Sequence, residues 1–179
     1  MLETLITSKT RIKLMVKFFL NSSTTGYLRG LEAEFGESTN AIRQELNRFE
    51  SAGLLHSFFI SNRKVFKANQ SHPLFKDINS LVRRYVGMDD VIEQIINHLG
   101  DPEEVYLSGA LADGQDSAEI NLIIIADKID LNYLIELCNK AQTIITRRIQ
   151  YVVYTKEEFK QQQNYLDVNN LLLIWKNMA

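Results

Sequence analysis

The chain of 179 residues has few of the features that stabilise secreted or membrane proteins. Its single cysteine, Cys138, cannot form an internal disulfide. Its three histidines, His56, His72 and His98, are too scattered for zinc-ligand spacing, so we expect no structural metal. There is no apolar run of about eighteen residues and no signal pattern at the N-terminus. We therefore expect a cytoplasmic protein that makes no membrane contact.

The net charge is small as well, at −2, and this value alone argues against a nucleic-acid binder. The two halves of the chain differ, however. Residues 1–85 contain 13 Lys and Arg against 7 Asp and Glu, whereas residues 86–179 contain 7 against 15. The sequence therefore predicts a basic module that meets phosphate, joined to an acidic module that does not.

Short helices and one hairpin follow each other in the basic half. Apolar residues at helical spacing predict helices over 10–21, 27–35 and 39–51, and Ser38 is placed to cap the third. The runs HSFFI and VFKA then flank the turn at 61–64, which predicts a hairpin with a basic tip. Three short helices followed by such a hairpin indicate a winged helix-turn-helix.

Strands and helices alternate in the acidic half. A linker helix is predicted over 74–86, and Gly87 marks a domain boundary. Beyond it the pattern predicts a helix near 91–99, a strand at 105–108, a loop over 109–118, strands at 120–126 and 149–154, and helices at 131–141, 156–164 and 168–178. We expect a two-domain chain of α+β or α/β class, with a winged helix-turn-helix over 1–74, a linker helix over 75–87 and a small mixed-sheet domain over 88–179.

The third helix has two contrasting stripes. Ile42, Leu46 and Phe49 recur at helical spacing and are predicted to face the core. The opposite stripe consists of Asn40, Arg43, Gln44 and Asn47. Asn and Gln match adenine edges in the major groove, and Arg matches guanine. The alternative is an ordinary solvated face, but such faces favour Glu and Lys, and this stripe has neither.

Further residues are candidates for DNA contact because they lie at the start of the predicted second helix, around the third helix or at the hairpin tip. They are Tyr27, Arg29, Ser38, Thr39, Arg48, Asn62, Arg63 and Lys64. For the two cations of the tip, the alternative is a turn that is merely solvated.

Three stretches of the basic half resemble ArsR-like winged-helix transcriptional regulators, in particular bacterial proteins that fuse this domain to a nucleotidyltransferase-like domain. They are TSKTRIKLMVKFFLN, YLRGLEAEFGESTNAIRQELNRFESAGLL and NRKVFKANQSHPLF. The resemblance implies DNA binding through the helix that contains the stripe, and a homodimer on a palindromic site. The Cys-rich metal-sensing motif of some ArsR repressors is absent from this sequence, so metal sensing is not implied.

The stretch LSGALADGQDSAEINLIIIAD, residues 107–127, resembles the signature of the nucleotidyltransferase superfamily, which includes DNA polymerase beta. In active members a strand ends in a Gly-Ser pair, and a loop with a further glycine follows. The acids of an Asp-x-Asp strand then hold two Mg²⁺ ions together with a third acid on a later strand. The corresponding residues here are Gly109, Ala110, Gly114, Glu119 and Asn121. The serine and one of the paired acids are therefore replaced.

Two divalent ions need several anionic oxygens, because neutral carbonyl groups compensate their charge less well. Glu119 and Asn121 lie on one side of a strand, but only Glu119 is charged, and the later strand at 149–154 contains no acid. Asp113 and Asp116 lie in the loop and are more typical of solvated turns. The resemblance thus implies a degenerate nucleotide site in a domain that we expect to be inactive, without metal or cofactor.

The leading hypothesis is a sequence-specific DNA-binding transcriptional regulator, not an enzyme. Its partners would be double-stranded DNA and a second copy of the chain. The C-terminal domain would serve dimerisation or the sensing of a small-molecule or nucleotide effector. Two alternatives stay open: a Mg²⁺-dependent nucleotidyltransferase acting on a nucleic acid or protein partner, and a non-enzymatic, antitoxin-like module that binds a partner.

Overall fold

The computed structural model describes residues 2–163, 166 and 170–177, which form a mixed α+β structure with two β-sheets. The chain divides into two compact units. The first comprises Met1–Tyr85 with Gly114–Asp116, and the second comprises Val86–Asp113 with Ser117–Ala179. Within the described residues, none of the helices is both long enough and apolar enough to span a bilayer.

The first unit contains five α-helices in its described residues, and all except the short first one, which was not predicted, begin and end close to predicted positions. They are α1 Leu2–Leu5, α2 Lys9–Met15, α3 Leu28–Phe35, α4 Thr39–Ser51 and α5 Phe75–Tyr85, and a π-helical segment over Val16–Leu20 continues α2. Ser38 caps α4, because its hydroxyl accepts a hydrogen bond of 3.2 Å from the backbone N–H of Ala41. Gly36 ends α3 with a φ of 63°, in the left-handed region that glycine tolerates. The predicted start of the third helix is confirmed.

An antiparallel sheet completes the first unit. Its strands, in spatial order, are β1 Thr25–Tyr27, β3 Arg63–Ala68 and β2 Leu55–Ile60. Ile60 pairs with Arg63, so a turn of two residues joins β2 to β3, and the predicted hairpin is confirmed. β1 has no counterpart among the predicted elements, because three residues are too few to show a two-residue period. Tyr27 therefore ends a strand, and the second helix begins one residue later than predicted.

The apolar stripe of α4 forms part of the core of the first unit, where α4 packs against α2 and α3. Ile42, Leu46 and Phe49 are buried, as predicted. The ring of Phe49 meets that of Phe19 edge-on, with the centroids 6.4 Å apart. Burying each such side chain contributes roughly 1.5–3 kcal/mol, which fixes the side of α4 that is turned outward.

The second unit is built around a four-stranded sheet in the order β6-β5-β4-β7. Its elements are α6 Met88–Gln94 with a 3-10 turn at Ile96–His98, β4 Glu104–Ser108, α7 Gly109–Ala112, β5 Glu119–Ile125, α8 Leu131–Ala141, β6 Arg148–Tyr154, α9 Lys156–Gln162 and β7 Leu172–Lys176. β5 and β6 run parallel and are connected through α8, whereas β4 pairs antiparallel with both β5 and β7. Side chains of β5 alternate between the two faces of this sheet.

The C-terminal helix predicted over 168–178 is wrong. Leu172–Lys176 form β7, which pairs antiparallel with β4, while Val168 and Met178 lie outside the described residues. The run of leucines, isoleucine and tryptophan suits either a helix or a buried strand, and pairing with β4 decides between them. The predicted loop over 109–118 also differs, because its first four residues form the helical turn α7.

Candidate nucleic-acid interface

The polar stripe of α4 is turned outward. Asn40, Arg43, Gln44 and Asn47 are all exposed. Their orientation follows from the burial of the opposite stripe, since residues three and four positions apart lie on one side of a helix. The structure thus leaves the amide and guanidinium groups of α4 accessible.

A cleft of about 620 Å³ lies beside this stripe, between α4, the start of α3 and the β2–β3 hairpin. We name it the basic cleft. It is lined by Tyr27, Leu28, Arg29, Arg43, Leu46, Asn47, Asn62, Arg63, Lys64 and Phe66. Four of these residues are cationic, and none of the lining residues in the described part of the chain is acidic. The basic cleft therefore suits an anionic ligand.

The guanidinium group of Arg63 is held in place by an aromatic ring. Its carbon Cζ lies 4.9 Å from the ring centroid of Tyr27, which is the distance of a cation–π contact. Tyr27 pairs with Val65 across the β1–β3 ladder, and Arg63 lies two residues before Val65 on the same face of β3. This contact restricts the rotamers of Arg63 and leaves its N–H groups available to a ligand.

Lys64 is less available than Arg63. Its Nζ lies 2.7 Å from Oε2 of Glu50, near the end of α4, and 5.0 Å from the ring centroid of Phe66. The hydrogen bonds from Lys64 and then from Ser57 lower the pKa of Glu50 below its ordinary value of 4.5. Glu50 is therefore ionised at neutral pH and compensates the charge of Lys64.

The core side of α4 also carries a buried carboxylate. Glu45 accepts hydrogen bonds from Arg11 Nε at 2.9 Å and from Arg48 Nη1 at 2.7 Å. Burial opposes the ionisation of Glu45, but the hydrogen bond and charge of Arg11 and the charge of Arg48 outweigh it, so the pKa lies below 4.5. Arg48, a candidate DNA contact, is thus paired with Glu45, although its side chain remains 61% exposed. The sequence signal for this is the position of Glu45 next to Leu46, within the apolar stripe.

The predicted DNA-contact residues separate into two groups. The basic cleft brings together Tyr27, Arg29, Arg43, Asn47, Asn62, Arg63 and Lys64. The residues that do not line it are Ser38, Thr39, Asn40, Gln44 and Arg48. Asn40 and Gln44 remain exposed on the same helix, whereas the hydroxyl of Ser38 is used as the helix cap.

The second unit has a cavity of its own, of about 440 Å³, on one face of its sheet. We name it the amide cavity, after its polar lining residues Ser108, Asp113, Asn121, Gln150 and Asn170. Tyr151 and Tyr154 also line it, but no Lys, Arg or His is among its lining residues in the described range. Its charge is therefore unlike that of the basic cleft.

Only part of the predicted nucleotide site lies at this cavity. Gly109 and Asn121 line it, and Gly109 has a φ of 67°. A Cβ at Gly109 would lie 3.1 Å from Nδ2 of Asn121, so glycine leaves room for the amide. Ala110 and Glu119 are not lining residues, and Gly114 belongs to the first unit, where a Cβ would come within 2.5 Å of the backbone oxygen of Lys17.

The side chains at this position do not fit two Mg²⁺ ions. Glu119 accepts a hydrogen bond of 3.4 Å from Gln150 and lies 3.9 Å from the guanidinium of Arg148. Asn121, two residues further along β5, and its register partner Gln150 on β6 carry neutral amides, which compensate divalent charge poorly. Within the described residues there is no group of three His, Cys, Asp or Glu side chains arranged for a metal ion.

Comparisons of the chain with protein-family models, with curated proteins and with solved structures find no match. The residues and their geometry therefore supply the grounds for a functional assignment.

Proposed function

We propose that the chain is a sequence-specific DNA-binding transcriptional regulator and that its first unit is a winged helix-turn-helix. In this assignment α3 and α4 form the helix-turn-helix, and the β2–β3 hairpin is the wing. The observation that carries the proposal is the basic cleft, whose described lining residues include four cations and no acid, beside an exposed stripe of amide and guanidinium groups.

The exposed stripe reads the bases. α4 has 13 residues and is therefore about 20 Å long, which suits insertion into the major groove. Arg43 presents paired donors to guanine, and Asn47, one turn later, presents a donor and an acceptor to adenine. Asn40 and Gln44 lie one turn apart on the same exposed stripe and contact neighbouring base pairs.

The remaining cations hold the phosphate backbone. Arg29 is the second residue of α3 and Arg63 follows the hairpin turn, and both line the basic cleft beside α4, where they contact the phosphate backbone. Arg63 is oriented in advance by Tyr27, which reduces the entropy lost on binding. Lys64 must leave Glu50 to contribute, and its phosphate contact is correspondingly weaker.

The proposed partners are double-stranded DNA and a second copy of the chain, in the cytoplasm. The second unit is a nucleotidyltransferase-like domain without catalysis, because neutral amides occupy positions where two-metal chemistry needs acids. Its role is dimerisation or the sensing of an effector.

The proposal is tested by selecting duplexes from a random DNA pool with the full chain. We expect one sequence to be enriched. Arg43→Ala should cost about 1–3 kcal/mol of discrimination at one base pair, because a bidentate contact to guanine is lost. Arg63→Ala should weaken all sequences alike, because a phosphate contact carries no sequence information.

Lys76→Ala is the matched control, because it removes one exposed positive charge from the first unit outside the basic cleft. It should leave both affinity and selectivity near wild type. If no sequence is enriched, or if Arg43→Ala weakens every duplex equally, the assignment of α4 to base readout is wrong.

A further inference from the structure

The amide cavity offers hydrogen bonds from neutral groups. Asn121 on β5 and Gln150 on β6 are paired in register, so their amides lie side by side on one face of the sheet. Each amide carries a carbonyl oxygen and an NH₂ group next to each other, and Gln150 donates only one of its two N–H groups, to Glu119 at 3.4 Å. Such a pair matches a ligand edge on which a donor and an acceptor are adjacent.

Asn121 is the group within this cavity that most needs a partner. Its side chain is half-buried, and its amide makes no hydrogen bond to any other residue that the structure describes. Gly109 keeps the space beside Nδ2 of Asn121 open, because a Cβ at position 109 would lie only 3.1 Å from that nitrogen. A half-buried amide facing open space gains free energy from a ligand that satisfies it.

The lining of the amide cavity disfavours phosphate groups. No lining residue in the described range is cationic, and Asp113 adds a carboxylate. Arg148, the nearest cation along β6, lies 3.9 Å from Glu119 and does not line the cavity. A triphosphate that entered the cavity would lose hydration without gaining a cationic partner for its negative charge. Its binding would therefore carry a large desolvation cost.

We propose that the amide cavity binds an uncharged heteroaromatic compound of the nucleobase or nucleoside class, without phosphates and without a metal ion. Asn121 and Gln150 hydrogen-bond its polar edge, and the ring of Tyr154, on the same face of the sheet, covers an apolar face of the ligand. The volume of about 440 Å³ lies within the range of small-ligand sites. Such a compound would be the effector that the second unit senses. Only this link to effector sensing rests on the proposed function.

Titration calorimetry of the full chain, without DNA, tests the inference. The probes are adenosine, guanosine, cytidine and uridine, each compared with its triphosphate in Mg²⁺ and in a chelator. We expect at least one nucleoside to bind, its triphosphate to bind about tenfold more weakly, and Mg²⁺ to change neither affinity. Asn121→Ala should weaken nucleoside binding about tenfold or more, because the amide contact is lost.

Asn139→Ala is the matched control, because it removes an exposed amide on α8 outside the cavity. It should leave nucleoside binding unchanged, and the melting temperatures of both variants report that the fold is intact. The inference is overturned if none of the four nucleosides binds, if a triphosphate binds more tightly with Mg²⁺, or if Asn121→Ala binds like wild type. None of these outcomes bears on DNA selection, so failure here is distinct from failure of the regulator assignment.

Discussion

The basic cleft of the first unit and the amide cavity of the second differ chiefly in charge. Among the residues that the structure describes, the cleft is lined by four cations and no acid. The cavity is lined by amides, tyrosines and one carboxylate, and by no cation. The basic cleft lies beside α4 and the amide cavity lies beside β5. In each case the face of that element turned away from the site is buried.

The net charge of −2 for the chain therefore hides a local difference. The basic cleft suits anionic ligands, whereas the amide cavity suits uncharged ones. A cleft lined by cations attracts polyanions at long range, whereas a neutral polar cavity selects by hydrogen-bond pattern at short range. Salt, pH and single charge changes should therefore affect the two sites very differently.

Salt should produce the largest contrast. If Arg29 and Arg63 each contact one phosphate while Lys64 stays paired with Glu50, raising salt from about 50 to about 200 mM should weaken DNA binding roughly 12-fold per copy of the chain, because releasing counterions into more concentrated salt gains less entropy. Nucleoside binding should be insensitive to the same change. Fluorescence anisotropy with labelled DNA and calorimetry with nucleoside measure the two. Equal salt dependence at both sites would remove the contrast.

Glu45 tests whether the basic unit depends on a carboxylate of its own. Glu45→Gln should lower the free energy of unfolding by about 1–2 kcal/mol at neutral pH, because charge-assisted hydrogen bonds from Arg11 and Arg48 become weaker. Chemical denaturation measures this change, with Glu32→Gln, a carboxylate of α3 outside this network, as the control.

The pH dependence follows from the same group. Since the pKa of Glu45 is lowered in the folded protein, its stabilisation is complete above the ordinary value of 4.5 and is lost as the pH falls through the folded value. The Gln variant should lose less stability than wild type across that acidic window. If the free energy of unfolding falls by the same amount in both proteins as the pH is lowered, ionised Glu45 does not contribute to stability.

Glu50 tests how far an internal acid restrains the cleft. Glu50→Gln should release Lys64 and raise DNA affinity about fivefold, with the salt dependence steeper by about one counterion. Anisotropy titrations at several salt concentrations measure both. Glu32→Gln removes the same charge outside the cleft and should have a smaller effect; an equal gain would indicate a general charge effect.

The smallest expected effect is at the hairpin turn. Ser61 has a φ of 53°, in a region that costs side chains about 1–2 kcal/mol, while glycine loses about 0.5–1 kcal/mol of chain entropy on folding. Ser61→Gly should therefore stabilise the first unit by about 0.5 kcal/mol in chemical denaturation. Ser23→Gly, at an exposed position with no positive φ, should not stabilise it.

Sequence patterns predicted the elements whose signals are local. The helix α8 begins and ends where predicted, because Asp130 caps it and its apolar residues recur at helical spacing. The outward stripe of α4 follows from the burial of Ile42 and Leu46. These features need only the chain nearby.

Features that depend on distant partners could not be predicted. β7 forms because β4 offers an edge about 70 residues earlier, and a run of leucines does not reveal that pairing. Glu45 is buried because Arg11, 34 residues away, compensates it. Likewise, the pairing of Gln150 with Asn121 depends on the parallel register of β5 and β6, which the motif resemblance does not specify.

The two stripes of α4 share no residue, and this has an evolutionary consequence. Exposed positions usually change the free energy of unfolding by less than about 0.5 kcal/mol when substituted, whereas the buried stripe cannot change without a cavity or a clash. If α4 reads bases as proposed, new operator preferences can therefore arise one side chain at a time at Asn40, Arg43, Gln44 or Asn47 while the scaffold is inherited intact.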